Sequence, residues 1–298
     1  MKWRRKEFFI RSFLFVPGNR KDMMEKARYL PADALILDME DSVPPAEKSR
    51  AREVISSALP AMLKDGRPVF VRVNPLMSGL TDEDLAAVVS PGLTGISLPK
   101  VEEKIDMEAI NLKLEWFERE RGMENRSVTV LPWIESPRSL LNAYSIASSS
   151  RRVMGLGFGA DDYTLSMGIQ RSREGEELDY PRHVVAVDAR AADVLPLDTP
   201  YVEYKDKEGL INDCKRAKRM GFAGKFAIHP SQVELINAAF SPSPQEIEEA
   251  QRIVEAFEKA LAGGSAVCSL DGRMIDTPVA ERARKLLGLA RRINLDGA

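Results

Sequence analysis

The sequence of 298 residues contains few cysteines and few histidines. Its two cysteines, Cys214 and Cys268, lie far apart and form no Cys-x-x-Cys pair. This argues against a disulfide framework and favours a reducing compartment. Apart from His183 and His229 the chain has no histidine, and a structural zinc site needs about four Cys or His ligands with paired spacing. We therefore expect any bound metal to have oxygen ligands.

The sequence also lacks an excess of charge and a long apolar run. Acidic residues number 45 and basic residues 43, so the net charge of −2 gives no global field that would attract nucleic acid or an anionic membrane. No window approaches the roughly 18 consecutive apolar residues of a membrane span. The N-terminal segment MKWRRKEFFIR is basic and then apolar, but Arg11 interrupts it and no small-residue cleavage site follows. The sequence predicts a cytoplasmic globular protein without nucleic-acid or membrane partners.

Eight short apolar runs recur along the chain, and most are followed by a polar break and an amphipathic stretch. They begin at Ser12, Ala34, Val69, Gly95, Val130, Val153, Val194 and Gly224. Continuous apolar strands that alternate with helices are typical of a parallel sheet buried on both faces. Eight such units predict a (β/α)8 TIM barrel, for which about 250 residues is typical. An open, doubly wound sheet is the alternative, and residues 182–192 fit either a helix or a strand.

The sequence changes character after Phe240. A breaker, SPSPQ, precedes an amphipathic helix, a tight turn at Asp271 and Gly272, and a second, basic amphipathic helix. We therefore expect a TIM-barrel catalytic domain over residues 1–240 and a C-terminal helical extension over residues 241–298. The extension is too small to be a confident independent domain and is expected to pack on a barrel, its own or a neighbour's.

Polar residues cluster directly after the apolar runs. In a barrel these strand ends converge on the face that carries the active site. The cluster comprises Asn19, Arg20, Asp38, Glu40, Asp41, Arg72, Asn74, Lys100, Glu135, Asp161, Asp162 and His229. Glu135 and Asp162 follow adjacent strands, so their carboxylates could share a cation such as Mg²⁺. Each could equally cap the helix that follows it.

Other residues in this cluster also have two interpretations. Arg72 lies within the apolar run VFVRVNP, so its guanidinium needs a carboxylate, from a ligand or from Glu40 or Asp41. The glycines of GLGFGAD lack the spacing of a dinucleotide-binding loop, and we interpret them as a tight strand end that a substrate can approach. His229 precedes Pro230, and a role as a cap of the next helix is the commoner fate of such a histidine. The sequence contains no G-x-S-x-G, Walker A or H-E-x-x-H motif.

Seven segments stand in an order that resembles one family. They are FVPGNR, LDMEDSV with Lys48, VRVNP, WIESP, FGADDYTLSMG, GKFAIHPSQ and DGRMIDTPV. The chain resembles the citrate lyase β-subunit-like branch of the HpcH/HpaI aldolase superfamily, which includes malyl-CoA and citramalyl-CoA lyases, from about Arg11 to Arg292. The resemblance implies a (β/α)8 barrel with a C-terminal extension, assembled as a homotrimer or hexamer. It also implies Mg²⁺ held by Glu135 and Asp162.

The resemblance assigns further roles. Arg72 is expected to bind the carboxylate of the keto-acid half of the substrate, beside Glu135. Asp276 is expected to reach the active site of an adjacent subunit and act as the acid/base. Coenzyme A, as the thioester substrate, is expected at Phe15, Lys26, Ile228 and His229. At Asp22 some relatives carry a lysine near the CoA phosphates, and this departure leaves room for a thioester on an acyl-carrier protein.

The function that the resemblance implies is a Mg²⁺-dependent lyase. It would split a 3-hydroxy-acyl thioester of the citryl-, malyl- or citramalyl-CoA type into an acyl thioester and a keto acid. One alternative is a malate or citramalate synthase, which hydrolyses the thioester after condensation. Another is a citrate lyase β subunit that acts on a citryl thioester of a carrier protein. A phosphate-sugar enzyme would need a glycine-rich anion loop after strands seven and eight, and DTPYVEYKD does not provide one.

Overall fold

The computed structural model describes the backbone of residues 9–296 and the side chains of residues 9–293. Most of the basic N-terminal segment lies outside this range. Eight parallel strands form a closed barrel in sequence order, because β8 pairs with β1. The strands are β1 (Ser12–Pro17), β2 (Ala34–Asp38), β3 (Val69–Arg72), β4 (Gly95–Leu98), β5 (Thr129–Ile134), β6 (Gly155–Phe158), β7 (Leu195–Asp198) and β8 (Gly224–Ala227).

Helices follow the strands around the barrel. The α-helices are α1 (Lys21–Ala27), α2 (Lys48–Leu63), α3 (Thr81–Val88), α4 (Lys104–Glu120), α5 (Pro137–Leu141), α6 (Ala143–Ser148), α7 (Ala160–Met167), α8 (Asp179–Ala191), α9 (Lys207–Met220) and α10 (Pro230–Phe240). Short 3₁₀ turns occupy Pro45–Glu47, Leu76–Ser78 and Glu176–Leu178. The closed sheet confirms the predicted (β/α)8 barrel and excludes the open sheet. The ambiguous stretch 182–192 is almost entirely helical, within α8.

Large apolar side chains fill the barrel interior. The buried cluster comprises Ile10, Phe13, Ala34, Ile36, Phe70, Leu131, Trp133, Met154, Leu197 and Phe226. Trp133 and Phe226 stack at its centre, with ring centroids 4.2 Å apart. Side chains of a strand alternate between its two faces. Arg72 and Glu135 come two residues after the interior residues Phe70 and Trp133. Their side chains therefore lie on the interior side of β3 and β5, at the carboxyl end of the barrel.

The chain divides into two compact units after Asn237. The second unit contains α11 (Pro244–Ala262), a hairpin of β9 (Cys268–Leu270) and β10 (Arg273–Ile275), and α12 (Thr277–Asp296). The hairpin turn has positive φ at both Asp271 (50°) and Gly272 (77°), as the predicted tight turn requires. This unit confirms the predicted helical extension. No helix within residues 9–296 combines the length and apolarity needed to cross a bilayer.

A buried charge network lies on the outer side of the barrel wall. Arg182 on α8 makes a bidentate ion pair with Asp198 of β7, with N to O distances of 2.9 and 2.6 Å. The Lys225 ammonium of β8 contacts both Asp198 and Asp213 of α9. Arg182, Lys225 and Asp198 are almost completely buried. The network therefore connects α8 and α9 to β7 and β8. Each buried charge is stabilised by the opposite charges of its partners.

Asp198→Ala should destabilise the protein strongly, because it leaves the buried Arg182 and Lys225 with only the Asp213 carboxylate, which both contact. We expect a loss of about 3–5 kcal/mol in the free energy of unfolding, measured by urea titration with circular dichroism. Glu108→Ala is the control, since Glu108 forms an exposed i,i+4 pair with Lys104 and should change stability by less than about 0.5 kcal/mol. Equal effects of the two substitutions would contradict a structural role for the network.

Candidate active site

Arg72 forms an ion pair with Asp38 across adjacent strands. The two residues lie opposite each other in the parallel register of β2 and β3. Arg72 Nε and Nη2 each lie 2.7 Å from a different oxygen of the Asp38 carboxylate. Its Nη1 is 3.1 Å from Glu40 Oε2 and 3.1 Å from Asp41 Oδ2, and its guanidinium carbon lies 4.8 Å from the Phe15 ring centroid. Three carboxylates and one aromatic face therefore hold this guanidinium in place.

The sequence left the partner of Arg72 open between a ligand and Glu40 or Asp41. The structure shows an internal ion-pair group that includes both acids, but the bidentate partner is Asp38, which the prediction did not assign. Burial alone would raise the pKa of Asp38, yet the charge and hydrogen bonds of Arg72 hold it below its usual value. Opposite charges at the ends of neighbouring predicted strands were the signal that could have identified this pair.

Glu135 lies at the end of β5, buried and supported on two sides. Its Oε2 accepts a hydrogen bond from the Lys100 backbone N–H at 2.8 Å. On the other side, a Cβ added to Gly159 would lie 2.5 Å from Glu135 Cγ and 2.6 Å from Oε1. The last glycine of the GLGFG run therefore makes room for the Glu135 side chain. The sequence predicted that these glycines let a substrate approach the strand end, whereas at Gly159 the missing Cβ accommodates the Glu135 side chain.

Asp162 lies half-buried in the first turn of α7, after β6. Burial raises its pKa, and Lys100 opposes that rise. Among the described residues neither acid caps a helix through a side-chain hydrogen bond, although Asp162 lies in the first turn of α7, where the helix dipole favours a negative charge. Ser136 caps α5, with its hydroxyl accepting from the Ser139 N–H at 3.0 Å, and the N-cap of α7 is Gly159 without a side-chain cap.

Lys100 and Glu40 complete the group. The Lys100 ammonium lies 3.2 Å from Glu40 Oε1. Burial raises the pKa of Glu40 and also that of Glu135, the latter to about 8, and the negative charges of Glu40 and Asp162 add to the rise at Glu135. Glu40 and Asp162 both repel the Glu135 carboxylate at the mouth of the barrel, and a cation beside Glu135 would relieve that repulsion.

The donor set at this position suits magnesium. Within the described part of the chain no three Asp, Glu, His or Cys side chains form a ready-made metal cage. Mg²⁺ is commonly bound by one or two carboxylates and retains water or substrate oxygens in its other positions. The oxygen-only pair of Glu135 and Asp162 fits that pattern, and the negative charges of Glu40 and Asp162 acting on Glu135 favour a positive charge here.

The residues expected to contact CoA occupy several environments. Phe15 lies in the barrel interior, with its ring centroid 5.7 Å from that of Trp133. Lys26 is exposed in the last turn of α1. Ile228 and His229 are exposed after β8, and the His229 ring stacks on Tyr204 with centroids 4.8 Å apart. Nothing in the local sequence pattern around Tyr204 indicates this contact.

His229 and Asp276 both act as helix caps. The Ser231 N–H donates to His229 Nδ1 at 3.2 Å at the start of α10, in agreement with the capping interpretation. Asp276 lies in the second unit, where its carboxylate accepts a hydrogen bond from the Val279 N–H at 3.2 Å at the start of α12. The structure thus brings Arg72, Glu135 and Asp162 together within the first unit and places Asp276 in the second.

Residues 11–230 match the model of the HpcH/HpaI aldolase/citrate lyase family. The chain belongs to this family. The match covers all eight strands of the barrel and every acidic and basic residue of the group at its mouth. The family assignment predicted from the seven sequence segments is confirmed.

Named relatives extend over almost the whole chain. The citrate lyase subunit beta of Escherichia coli K12 is 38% identical over 280 residues, covering 94% of this chain and 93% of the relative. The human mitochondrial citramalyl-CoA lyase is 31% identical over 290 residues, covering 94% and 85%. The crystal structure of protein CitE from Mycobacterium tuberculosis in complex with magnesium, acetoacetate and coenzyme A has a TM-score of 0.78 at 26% identity, covering 94% of this chain and 98% of that chain. All three are similar to this chain beyond the barrel.

The raised pKa of Glu135 predicts a pH dependence of stability in metal-free protein. The folded state retains a proton that the unfolded chain releases between its usual pKa of 4.5 and about 8. Stability should therefore fall as pH rises through this window, relative to Glu135→Gln, with a limiting slope of about 1.4 kcal/mol per pH unit. Urea unfolding of both proteins in the presence of a chelator measures the difference. A pH-independent difference would show that Glu135 titrates normally.

Proposed function

We propose that this protein is a Mg²⁺-dependent carbon–carbon lyase. It cleaves a 3-hydroxy-acyl thioester of the citryl, malyl or citramalyl type into an acyl thioester and a keto acid. The observation that carries the proposal is the buried carboxylate of Glu135, close enough to Asp162 for their charges to interact, on the barrel face where Arg72 also ends its strand. The names of the relatives, citrate lyase subunit beta and citramalyl-CoA lyase, support the reaction class.

Glu135 and Asp162 would hold the metal. Mg²⁺ held by these residues would supply Lewis-acid stabilisation of the oxygen that changes between hydroxyl and ketone during the reaction. The Lys100 N–H and the tight fit at Gly159 keep the Glu135 carboxylate in one orientation. A fixed carboxylate loses little conformational entropy on binding, and this favours a site that is ready before substrate arrives.

Arg72 would bind the carboxylate of the keto-acid half. Asp38 fixes the plane of its guanidinium through two parallel hydrogen bonds, and Phe15 supports one face. Asp38 occupies the Nε–Nη2 edge, so a substrate carboxylate would bind at Nη1 in place of Glu40 or Asp41. On this geometry the ion pair with Asp38 orients the guanidinium and is compatible with a ligand-binding role.

Asp276 would supply the acid/base, from a neighbouring subunit of a homotrimer or hexamer. In the cleavage direction the Asp276 carboxylate would take the hydroxyl proton, and the bond between the hydroxyl-bearing carbon and the thioester α-carbon would break as the hydroxyl becomes the ketone. The electron pair passes to the thioester enolate, whose α-carbon then takes a proton from the Asp276 carboxyl. In the condensation direction the Asp276 carboxylate removes that same α-proton. The thioester carbonyl provides the acidity that this step requires.

The thioester carrier is proposed to be coenzyme A, held at Phe15, Lys26, Ile228 and His229. The crystallised relative with bound coenzyme A supports this choice. One observation favours the alternative of an acyl-carrier protein. Asp22 forms an ion pair with Arg20 at 3.2 Å and lies 4.0 Å from the Lys26 ammonium, which reduces the positive charge offered to the CoA phosphates at this edge of the barrel.

A panel of thioesters tests the reaction. We expect one of citryl-, malyl- or citramalyl-CoA to yield oxaloacetate, glyoxylate or pyruvate when Mg²⁺ is present, with the keto acid identified by mass spectrometry. Glu135→Gln and Asp162→Asn should each lower kcat/KM by about 100-fold or more, because each removes a metal ligand. Glu108→Gln is the exposed control and should retain full activity. Unchanged turnover of both site variants would refute the metal site.

The panel also separates the alternatives. Release of free CoA together with malate or citramalate from the keto acid and acetyl-CoA would show synthase activity instead of reversible cleavage. Cleavage only when the acyl group is presented on a carrier protein would show that coenzyme A is not the natural carrier. The Asp22→Lys variant should then gain activity on the CoA ester, since it restores positive charge near the phosphates.

Mixed oligomers test the role of Asp276. Asp276→Ala and Glu135→Gln chains are each expected to be inactive alone, because each lacks one part of every site. Mixed in one oligomer, they should regain a fraction of activity where an intact Glu135 of one subunit meets an intact Asp276 of its neighbour. The measurement is turnover after joint refolding or coexpression, with subunit exchange verified by native mass spectrometry. Verified exchange without any recovery would contradict a shared site.

A further inference from the structure

Lys100 has an unusual backbone conformation at the site. Its φ of 54° lies in the left-handed region, which a lysine adopts far less readily than a glycine. Such conformations persist where the surrounding structure requires them. Here the left-handed turn directly after β4 directs the Lys100 N–H toward the Glu135 carboxylate.

The side chain of the same residue contacts a second carboxylate. Lys100 Nζ lies 3.2 Å from Glu40 Oε1, while the other oxygen of Glu40 faces Arg72 Nη1 at 3.1 Å. Glu40 is buried, so its charge depends on these two cations. Lys100 thus contacts two acids at once. Its ammonium pairs with Glu40, which follows β2, and its backbone N–H binds Glu135, which follows β5.

The charges around Lys100 do not balance. The Arg72 guanidinium gives three of its contacts to Asp38 and Asp41. The Lys100 ammonium interacts electrostatically with Asp162 as well as with Glu40, and at Asp162 its effect exceeds that of Arg72. The Lys100 side chain is 44% exposed, so its ammonium can move from these acids into solvent without exposing an apolar surface.

We propose that Lys100 is a positioning residue whose ammonium acts as an internal counter-cation of Glu40 and Asp162. It stabilises the acid group without metal and, by repulsion, weakens the binding of a divalent cation, while its N–H orients Glu135. This inference rests on the proposed magnesium site, but it concerns cation affinity and metal-free stability and can be measured without turnover.

The experiment compares Lys100→Met with wild type in slightly alkaline buffer. Mn²⁺ serves as the probe, and its free concentration is followed by electron paramagnetic resonance. Removal of the ammonium should tighten Mn²⁺ binding by about fivefold or more, because a unit positive charge a few ångströms from a divalent cation is removed. The melting temperature of the metal-free variant should fall below that of wild type, and the rise on adding Mn²⁺ should be larger.

Three further variants make the result specific. Lys100→Arg keeps the charge and should restore the wild-type Mn²⁺ affinity. Lys100→Gln is a second neutral variant and should behave as Lys100→Met does, even if the latter folds poorly. Lys104→Met removes an exposed lysine that pairs with Glu108 on α4 and should leave affinity and stability unchanged.

The outcomes separate this inference from the proposed function. Wild-type protein that binds no Mn²⁺ would overturn the metal site and this inference together. Wild-type binding with unchanged or weaker affinity in both neutral variants would overturn only the role of Lys100. Tighter binding in Lys100→Arg, equal to that of Lys100→Met, would also overturn it, because the positive charge would then not be the cause.

Discussion

The ion pair between Asp38 and Arg72 joins two strands at the barrel mouth, and the arrangement of the other charged groups depends on it. Its bidentate geometry directs the remaining guanidinium nitrogen toward Glu40 and Asp41. Glu40 then shares its second oxygen with Lys100. A buried charge without a partner is very costly, whereas a paired and hydrogen-bonded one is tolerated. The pair therefore allows several carboxylates to approach one another at the same edge of the sheet.

Three cations, Arg72, Lys100 and Lys48, lie among five acids at this edge, namely Asp38, Glu40, Asp41, Glu135 and Asp162. Burial, together with the negative charges of Glu40 and Asp162, raises the pKa of Glu135, and the same negative charges favour a cation at the site. Stability and function oppose each other here, because the repulsion that weakens the metal-free fold also favours binding. In contrast, the network of Arg182, Asp198 and Lys225 outside the barrel wall is compact and mutually paired. It stabilises the scaffold on which the unbalanced group is held.

Several features could be predicted from residues alone. The positions of all eight strands follow from apolar runs of strand length, and the hairpin in the extension follows from Asp271 and Gly272. Glu135 and Asp162 could be paired because consecutive parallel strands are neighbours in a barrel. The contacts of Lys100 and Gly159 could not be predicted, since a backbone N–H or a missing Cβ leaves no mark in a charge or hydropathy pattern.

The sequence by itself determined the architecture of this protein and the set of acidic and basic residues available at the barrel mouth. Strand periodicity is a local property of adjacent residues, and family motifs in their order carry the reaction class. Only the tertiary structure decided which acid holds Arg72, which glycine accommodates Glu135, and which lysine joins Glu135 to Glu40. These choices depend on register and on distances between residues far apart in the chain, and such distances exist only after the barrel has closed.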